Sequence, residues 1–182
     1  MAISSTVITL TIELADIDRG VYETLELKLA KHPSETGPYF ITRAIAYALE
    51  YTEGLVFTAG LANGDEPALW VRDLTGALVT WIDIGTPEPN RLHKASKAAD
   101  NVVVYCHVDT EPWLSRLASE SVYKSQDIAL HILPRKAISS LADGLERRNT
   151  WSLTRTESVL YIESDGESHT LELARIPWPS TP

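Results

Sequence analysis

The residue that most invites a chemical reading is Asp83. It lies in the run Leu78-Val-Thr-Trp-Ile-Asp-Ile84, which is otherwise apolar but for Thr80. An ionised carboxylate in such a strand needs a partner, because an unpaired charge is costly to desolvate. Asp83 also sits at the strand's carboxyl end, where ligand crevices open in α/β sheets. The plainer role for it is to accept N–H groups of the following loop. Glu66, in Asp65-Glu-Pro67 just before the preceding strand, approaches Asp83 if the two strands pair. Glu35 lies in His32-Pro-Ser-Glu-Thr36 at the start of a helical pattern, where it also serves as a favourable first-turn charge. Lys94 and Lys97 lie one turn apart on the helix after Asp83. Taken singly, each is explained as a solvated side chain.

Taken together, they suggest chemistry. Converging carboxylates can hold Mg²⁺ or Mn²⁺, hard cations that prefer oxygen ligands, with Glu66 and Asp83 as the central pair. Such a metal activates water and stabilises charge developing on a phosphate. A lysine at Lys94, or Lys97 as second choice, would orient the nucleophile or neutralise that charge. Arg43, two turns after Glu35, either lines the same cleft to meet an anionic ligand or pairs with Glu50 or Glu53. Other arrangements are poorer. His32 and Glu35 are separated by Pro33 at an expected helix start, and His107 with Asp109 lacks a third ligand. His93, His131 and His169 are isolated. No GxSxG, P-loop, GxGxxG or HExxH motif occurs. Trp70 and Trp81 fall in adjacent strands and suit a core better than a base-stacking platform.

The elements that must position these residues follow from periodicity. Thr6–Leu14 alternates, with Ile8, Leu10, Ile12 and Leu14 on one face, and Leu25, Leu27 and Leu29 continue the alternation after a turn at Asp16–Gly20. Ser34 is the expected N-cap of a helix that contains Glu35 and Pro38 in its first turn and runs to about Thr52. A short strand at Leu55–Thr58, a loop at Gly60–Gly64 and paired strands at Ala68–Arg72 and Leu78–Ile84 follow. A helix to Asp100 precedes the apolar run Val102-Val-Val-Tyr-Cys106, which fits a parallel strand buried on both faces. Glu111–Ser119 reads as helix, Ile128–Leu133 as strand and Arg135–Arg148 as mostly helix. A meander closes the chain, with Asp165-Gly166 as a hairpin turn. The tail from Ile176 reads as an extended strap anchored by Trp178.

Composition sets the frame. The 182 residues, 44% hydrophobic and 23% charged, fit one globular domain spanning 1–182. One cysteine, Cys106, excludes an internal disulfide and a cysteine-rich zinc site, and suits a cytoplasmic setting. No apolar run is long enough for a membrane span. Sixteen basic against 25 acidic side chains give a net charge of −9. That balance counts against a tight nucleic-acid binder, whose affinity rests on basic groups displacing counterions, and leaves nucleic acid as a weak partner at most.

The order helix–strand–strand–strand–helix–strand, carrying a helix acid, a loop-strand acid and a strand-end acid, resembles the PD-(D/E)XK nuclease-like fold. More closely, the sequence resembles the YaeQ family of bacterial proteins. The segments that carry this are Ala15-Asp-Ile-Asp-Arg-Gly20, His32-Pro-Ser-Glu-Thr36, Gly64-Asp-Glu-Pro67, Trp81-Ile-Asp-Ile-Gly85 and Arg91-Leu-His-Lys-Ala-Ser96. The resemblance runs through the whole chain. It implies an α/β, mixed-sheet sandwich, a single-domain variant of the nuclease-like fold. It also implies that Glu35 matches the helix carboxylate, Glu66 (or Asp65) the first motif acid, and Asp83 the acid of the (D/E)XK tripeptide. The tripeptide's lysine is absent, since Asp83-Ile84-Gly85 ends in glycine. Two functions follow as expectations: a Mg²⁺- or Mn²⁺-dependent phosphodiester hydrolase with Lys94 displaced onto the following helix, or a non-catalytic nuclease-like fold that binds a protein or small ligand.

Overall fold

Strict alternation builds the first hairpin. β1 (Thr6–Asp16) and β2 (Val21–Lys31) pair antiparallel along their full lengths, from Thr6 opposite Lys31 to Asp16 opposite Val21. Ile8, Leu10, Ile12 and Leu14 are buried from one strand, and Leu25, Leu27 and Leu29 from the other. Each such side chain contributes roughly 1.5–3 kcal/mol by leaving water. The structure, a computed structural model, describes residues 5–59 and 64–180. After the hairpin come α1 (Gly37–Leu49), β3 (Leu55–Phe57), β4 (Leu69–Arg72), β5 (Leu78–Ile84), α2 (Pro89–Ala98) and β6 (Ala99–Cys106). Then follow α3 (Glu111–Ser119), β7 (Ala129–Ile132), α4 (Arg135–Asp143), β8 (Arg148–Thr156), β9 (Val159–Ser164), β10 (Glu167–Glu172) and β11 (Ala174–Ile176). The expected loop at Gly60–Gly64 lies, except for Gly64, outside the described residues.

These elements form two compact units, each assembled from separated stretches of chain. The first draws on Met1–Leu49 and Leu133–Leu173. Its sheet has the order β10-β9-β8-β1-β2, and β1 and β8 run parallel at its centre, with Thr9 opposite Arg148. α1 and α4 pack together closely enough that a Cβ on Gly37 would stand 3.1 Å from the Ala142 Cβ. α1 is buried from Phe40 to Ala46, which accounts for its nearly uniform apolar composition.

The second unit draws on Glu50–Ile132 and Ala174–Pro182. Its sheet has the order β11-β7-β6-β5-β4-β3, with β5, β6 and β7 parallel and the other pairs antiparallel. β6 is interior, and Val102 to Cys106 are all buried, as a continuous apolar run in a parallel strand requires. Val102, Val104 and Cys106 meet Leu92 and Ala95 of α2 and Trp113 and Leu117 of α3 in one core. The tail behaves as a strap: β11 pairs with β7, and Ile176 and Trp178 pack against that core. Both sheets are mixed and four α-helices accompany them, so the α/β reading holds.

Several boundaries differ from expectation. α1 starts at Gly37, so Glu35 precedes the helix instead of lying in its first turn. Thr36, not Ser34, supplies the cap, its Oγ accepting the Tyr39 N–H at 3.2 Å. Ser34 instead donates its N–H to His32 Nδ1, which closes the turn before the helix. α1 ends at Leu49 rather than Thr52, and Glu50 turns away to accept the Tyr105 hydroxyl at 2.6 Å. α2 ends at Ala98, and β6 begins at once. α4 stops at Asp143, well before Arg148, which already opens β8. Gly144 ends that helix, and the buried Asn149 closes the connection by accepting the Glu146 N–H and donating to Glu146 and Thr9 carbonyls.

Candidate functional site

Asp83 ends β5 as the pattern predicted, and is 3% exposed. Its partner is Arg91, in the first turn of α2, which grips both carboxylate oxygens. Nε donates to Oδ2 at 2.8 Å and Nη2 to Oδ1 at 2.8 Å. This two-point geometry is the strongest ion pairing a guanidinium offers, because charge and planar shape match at once. The Trp81 indole N–H adds a third bond to Oδ2 at 2.9 Å, and Arg91 also lies over the Trp81 ring. The remaining arginine donors reach the preceding loop. Nη2 donates to the Glu66 carbonyl at 2.7 Å and Nη1 to the Gly64 carbonyl. Arg91 therefore joins a strand end, a helix start and a loop.

Glu66 thus reaches Asp83 through its backbone and the shared guanidinium. Its carboxylate is half-buried and has no ion pair or hydrogen bond among the described residues. Asp65 points outward to Lys94, with Nζ to Oδ1 at 2.9 Å, and the lysine's hydrogen bond and charge hold the Asp65 carboxyl below its usual range. Lys94 is thereby engaged by the loop acid on an exposed surface. Lys97 is exposed on the same helix. Gly85 has φ +91, a conformation that L side chains rarely adopt, and its N–H donates to the Tyr105 carbonyl at 2.8 Å. A backbone requirement therefore explains the glycine where the tripeptide would carry lysine.

In the other unit, Glu35 and Arg43 form a second, more deeply buried pair, 5% and 6% exposed. Arg43 lies 3.0 Å (Nε to Oε1) and 3.1 Å (Nη2 to Oε2) from the carboxylate. Of the two roles open to Arg43, the pairing with Glu50 or Glu53 is corrected: the side chain is buried and turns to Glu35, in the turn before its own helix. The His32 N–H donates to Glu35 Oε2 at 3.1 Å, Lys31 donates to the Glu35 carbonyl at 2.6 Å, and Arg43 also reaches the Ala30 carbonyl. Burial pushes the Glu35 carboxyl above its usual value, and the Arg43 charge opposes that shift without cancelling it. His32-Pro-Ser-Glu-Thr36 is accordingly a joint that locks β2 to α1.

For a metal, these donors are a poor fit. Both Asp83 oxygens are occupied by Arg91, and among the described residues no group of three or more His, Cys, Asp or Glu side chains is arranged to hold an ion. Asp109 accepts the Glu111 N–H at 3.2 Å at the start of α3 and so serves that helix. His131 stacks on Tyr105, and His93 accepts the Tyr123 N–H. Trp81 is core, with Trp70 directly across from it on β4.

Two arginine-centred features escaped the sequence reading. Arg91 was one, although a buried strand-end acid calls for a cation and Arg91 is the first one after it in the chain. The other is the corner at Ala15-Asp-Ile-Asp-Arg-Gly20, read only as a turn. Asp16 is fully buried and accepts from Arg19 Nε at 2.8 Å and Arg155 Nη1 at 3.4 Å, while Asp18 accepts the Glu157 N–H at 2.9 Å. The hairpin turn is thereby tied to the β8–β9 turn.

Fold and site together define a class: an α/β protein with two mixed sheets, whose strand-end acid is held by an arginine of the next helix. The chain belongs to the YaeQ family; the family model, described as YaeQ protein, matches residues 1–173. It is 28% identical over 182 residues to the protein described as "Uncharacterized protein YaeQ" from Escherichia coli (strain K12), covering 99% of this chain and 100% of that one. Among solved structures, the YaeQ protein from Xanthomonas axonopodis pv. citri matches with a TM-score of 0.89 at 31% identity, over 97% of this chain and 100% of that one. The YaeQ protein from Pseudomonas syringae matches with a TM-score of 0.87 at 28% identity, over 94% and 96%.

Proposed function

We propose that this chain is a single-domain variant of the PD-(D/E)XK nuclease-like fold that works as a binding module for a protein or small ligand, without hydrolytic chemistry. The succession α1, β3, β4, β5, α2, β6 supports the fold assignment. One observation carries the functional reading: Arg91 occupies both oxygens of Asp83 and spends its other donors on the loop that bears Glu66. An acid held this way fixes the architecture of the strand end, and its negative charge is already met by a guanidinium that a second cation would have to displace or repel. Lys94, engaged with Asp65, points to the same conclusion. A cytoplasmic setting goes with this reading, and the buried free thiol of Cys106 accords with it.

The competing reading is a Mg²⁺- or Mn²⁺-dependent phosphodiester hydrolase acting on nucleic acid. It is favoured by the half-buried Glu66, whose carboxylate has no ion pair among the described residues and whose loop Arg91 ties to Asp83; it requires Arg91 to release Asp83, and has the net charge of −9 against it. Calorimetric titration of Mn²⁺ into the wild-type protein and Asp83→Asn tests the choice. The binding-module reading expects no saturable uptake by either protein. Stoichiometric uptake by the wild type that Asp83→Asn abolishes would replace it with the hydrolase.

A further inference from the structure

The outer face of the five-stranded sheet carries a pattern that the candidate site does not use. Register places Tyr22, Ala15, Thr154, Tyr161 and Thr170 in one row across β2, β1, β8, β9 and β10. Strands lie about 4.8 Å apart, so the two tyrosines stand roughly 14 Å from one another over a floor of small side chains. Both are open to solvent, Tyr22 65% and Tyr161 51% exposed. The next row is Thr24, Glu13, Ser152, Glu163 and Ser168, and the one after begins Glu26, Thr11, Thr150. Over β1 and β2 lies a shallow groove of about 670 Å³, lined by residues 13–15 and 22–24 together with Ser152; Tyr161 and Glu163 stand on the strand beyond it.

We infer that this face is a docking surface for an extended, arginine- or lysine-rich segment of a partner protein. The argument is charge complementarity joined to shape. Glu13, Glu26 and Glu163 supply carboxylates on this face, whereas its basic groups, Lys28 and Arg148, lie at the end away from the tyrosines, both opposite Thr9. The exposed tyrosine rings offer cation–π surfaces to guanidinium or ammonium groups. The serine and threonine hydroxyls between them accept from the same donors. A second copy of this chain is a poor occupant, because it brings a like-charged face and a net charge of −9.

The test uses a fluorescein-labelled decapeptide of alternating arginine and serine, titrated by fluorescence anisotropy at fixed salt. The wild type is expected to bind it saturably. Glu13→Gln/Glu163→Gln should weaken binding about tenfold, since two exposed ion pairs are each worth up to about fivefold. Glu111→Gln/Glu120→Gln, at the start of α3 and just past its end, changes net charge equally but removes exposed acids of the other unit, and should alter binding less than twofold. Tyr22→Ala should weaken it about threefold through the lost ring face. Equal losses in the two double variants would show attraction to overall charge only and overturn the assignment. So would non-saturable binding, or saturable binding of a neutral oligosaccharide that displaces the peptide.

Discussion

Arg91→Met leaves a long side chain in place and removes the cation from Asp83. Asp83 is nearly inaccessible, so its charge cannot be recovered by water without local opening. Removing one partner of a fully buried pair costs about 3–5 kcal/mol. Here the Arg91 side chain is 28% exposed, and the Trp81 indole bond to Oδ2 remains, so we expect about 2–4 kcal/mol. For a chain of this length that lowers Tm by roughly 5–15 °C. Asp83→Asn alone should cost about 1–2 kcal/mol, since it strands a cation that still reaches solvent and two loop carbonyls. The double variant Arg91→Met/Asp83→Asn carries no stranded charge, and should be at least about 1.5 kcal/mol more stable than the sum of the single losses predicts. Urea denaturation of the four proteins at pH 7, with linear extrapolation, measures all three differences. A loss below about 0.5 kcal/mol for Arg91→Met, or strict additivity in the double variant, would refute the view that this pair holds the strand end together.

Further outcomes follow from other contacts. Glu35 has its carboxyl pKa raised on folding, so its contribution to stability is fully present below the ordinary glutamate value of 4.5 and is lost as pH rises through the folded value. Urea midpoints of the wild type relative to Glu35→Gln, measured from pH 4 to pH 8, should therefore fall with rising pH; a rising difference would contradict the burial argument. Gly37→Val should destabilise by about 1–3 kcal/mol, because even the first carbon meets Ala142 and α1 cannot shift freely; thermal melts report it. Leu10→Ala, at a wholly buried position between the hairpin strands, should cost about 2–5 kcal/mol by denaturant unfolding. Trp178→Ala should cost about 1–2 kcal/mol and speed amide exchange in β11, the strand that it helps to pin.

Local pattern was legible wherever one face is buried and the other wet. The register of β1 and β2 follows directly from Leu10 and Leu27 sharing a face, and β6 announced its central place by having no polar alternation at all. Helix ends were read less well because their determinants are competing hydrogen bonds. Ser34 and Thr36 are both good caps, and which one serves depends on Ser34 donating to His32 Nδ1 instead. At the candidate site the sequence singled out Asp83 as an unusual acid, whereas Glu35, read as a first-turn charge, proves to be a buried acid ahead of the helix. The sequence did not show that each has a dedicated arginine, because a partner eight residues away in the chain is identified only once the turn between them has a shape. The long-range pairing of β1 with β8 was illegible for the same reason, no local signal joining residues 139 apart.

That pairing constrains how the molecule is made. A ribosome releases the β1–β2 hairpin early, yet the strand that completes its other edge begins at Arg148. At synthesis rates of roughly 5–20 residues per second, the hairpin, complete at Lys31, waits about 6–23 s for Arg148 with the far side of β1 unpaired. Through that interval the backbone N–H and C=O groups along that edge of β1 have no strand to pair with, although α1, which follows the hairpin directly and packs against β1, is already made. The nascent chain is then most open to aggregation or to chaperone capture, and slowing translation between residues 50 and 147 would lengthen exactly that exposure while leaving the finished protein unchanged.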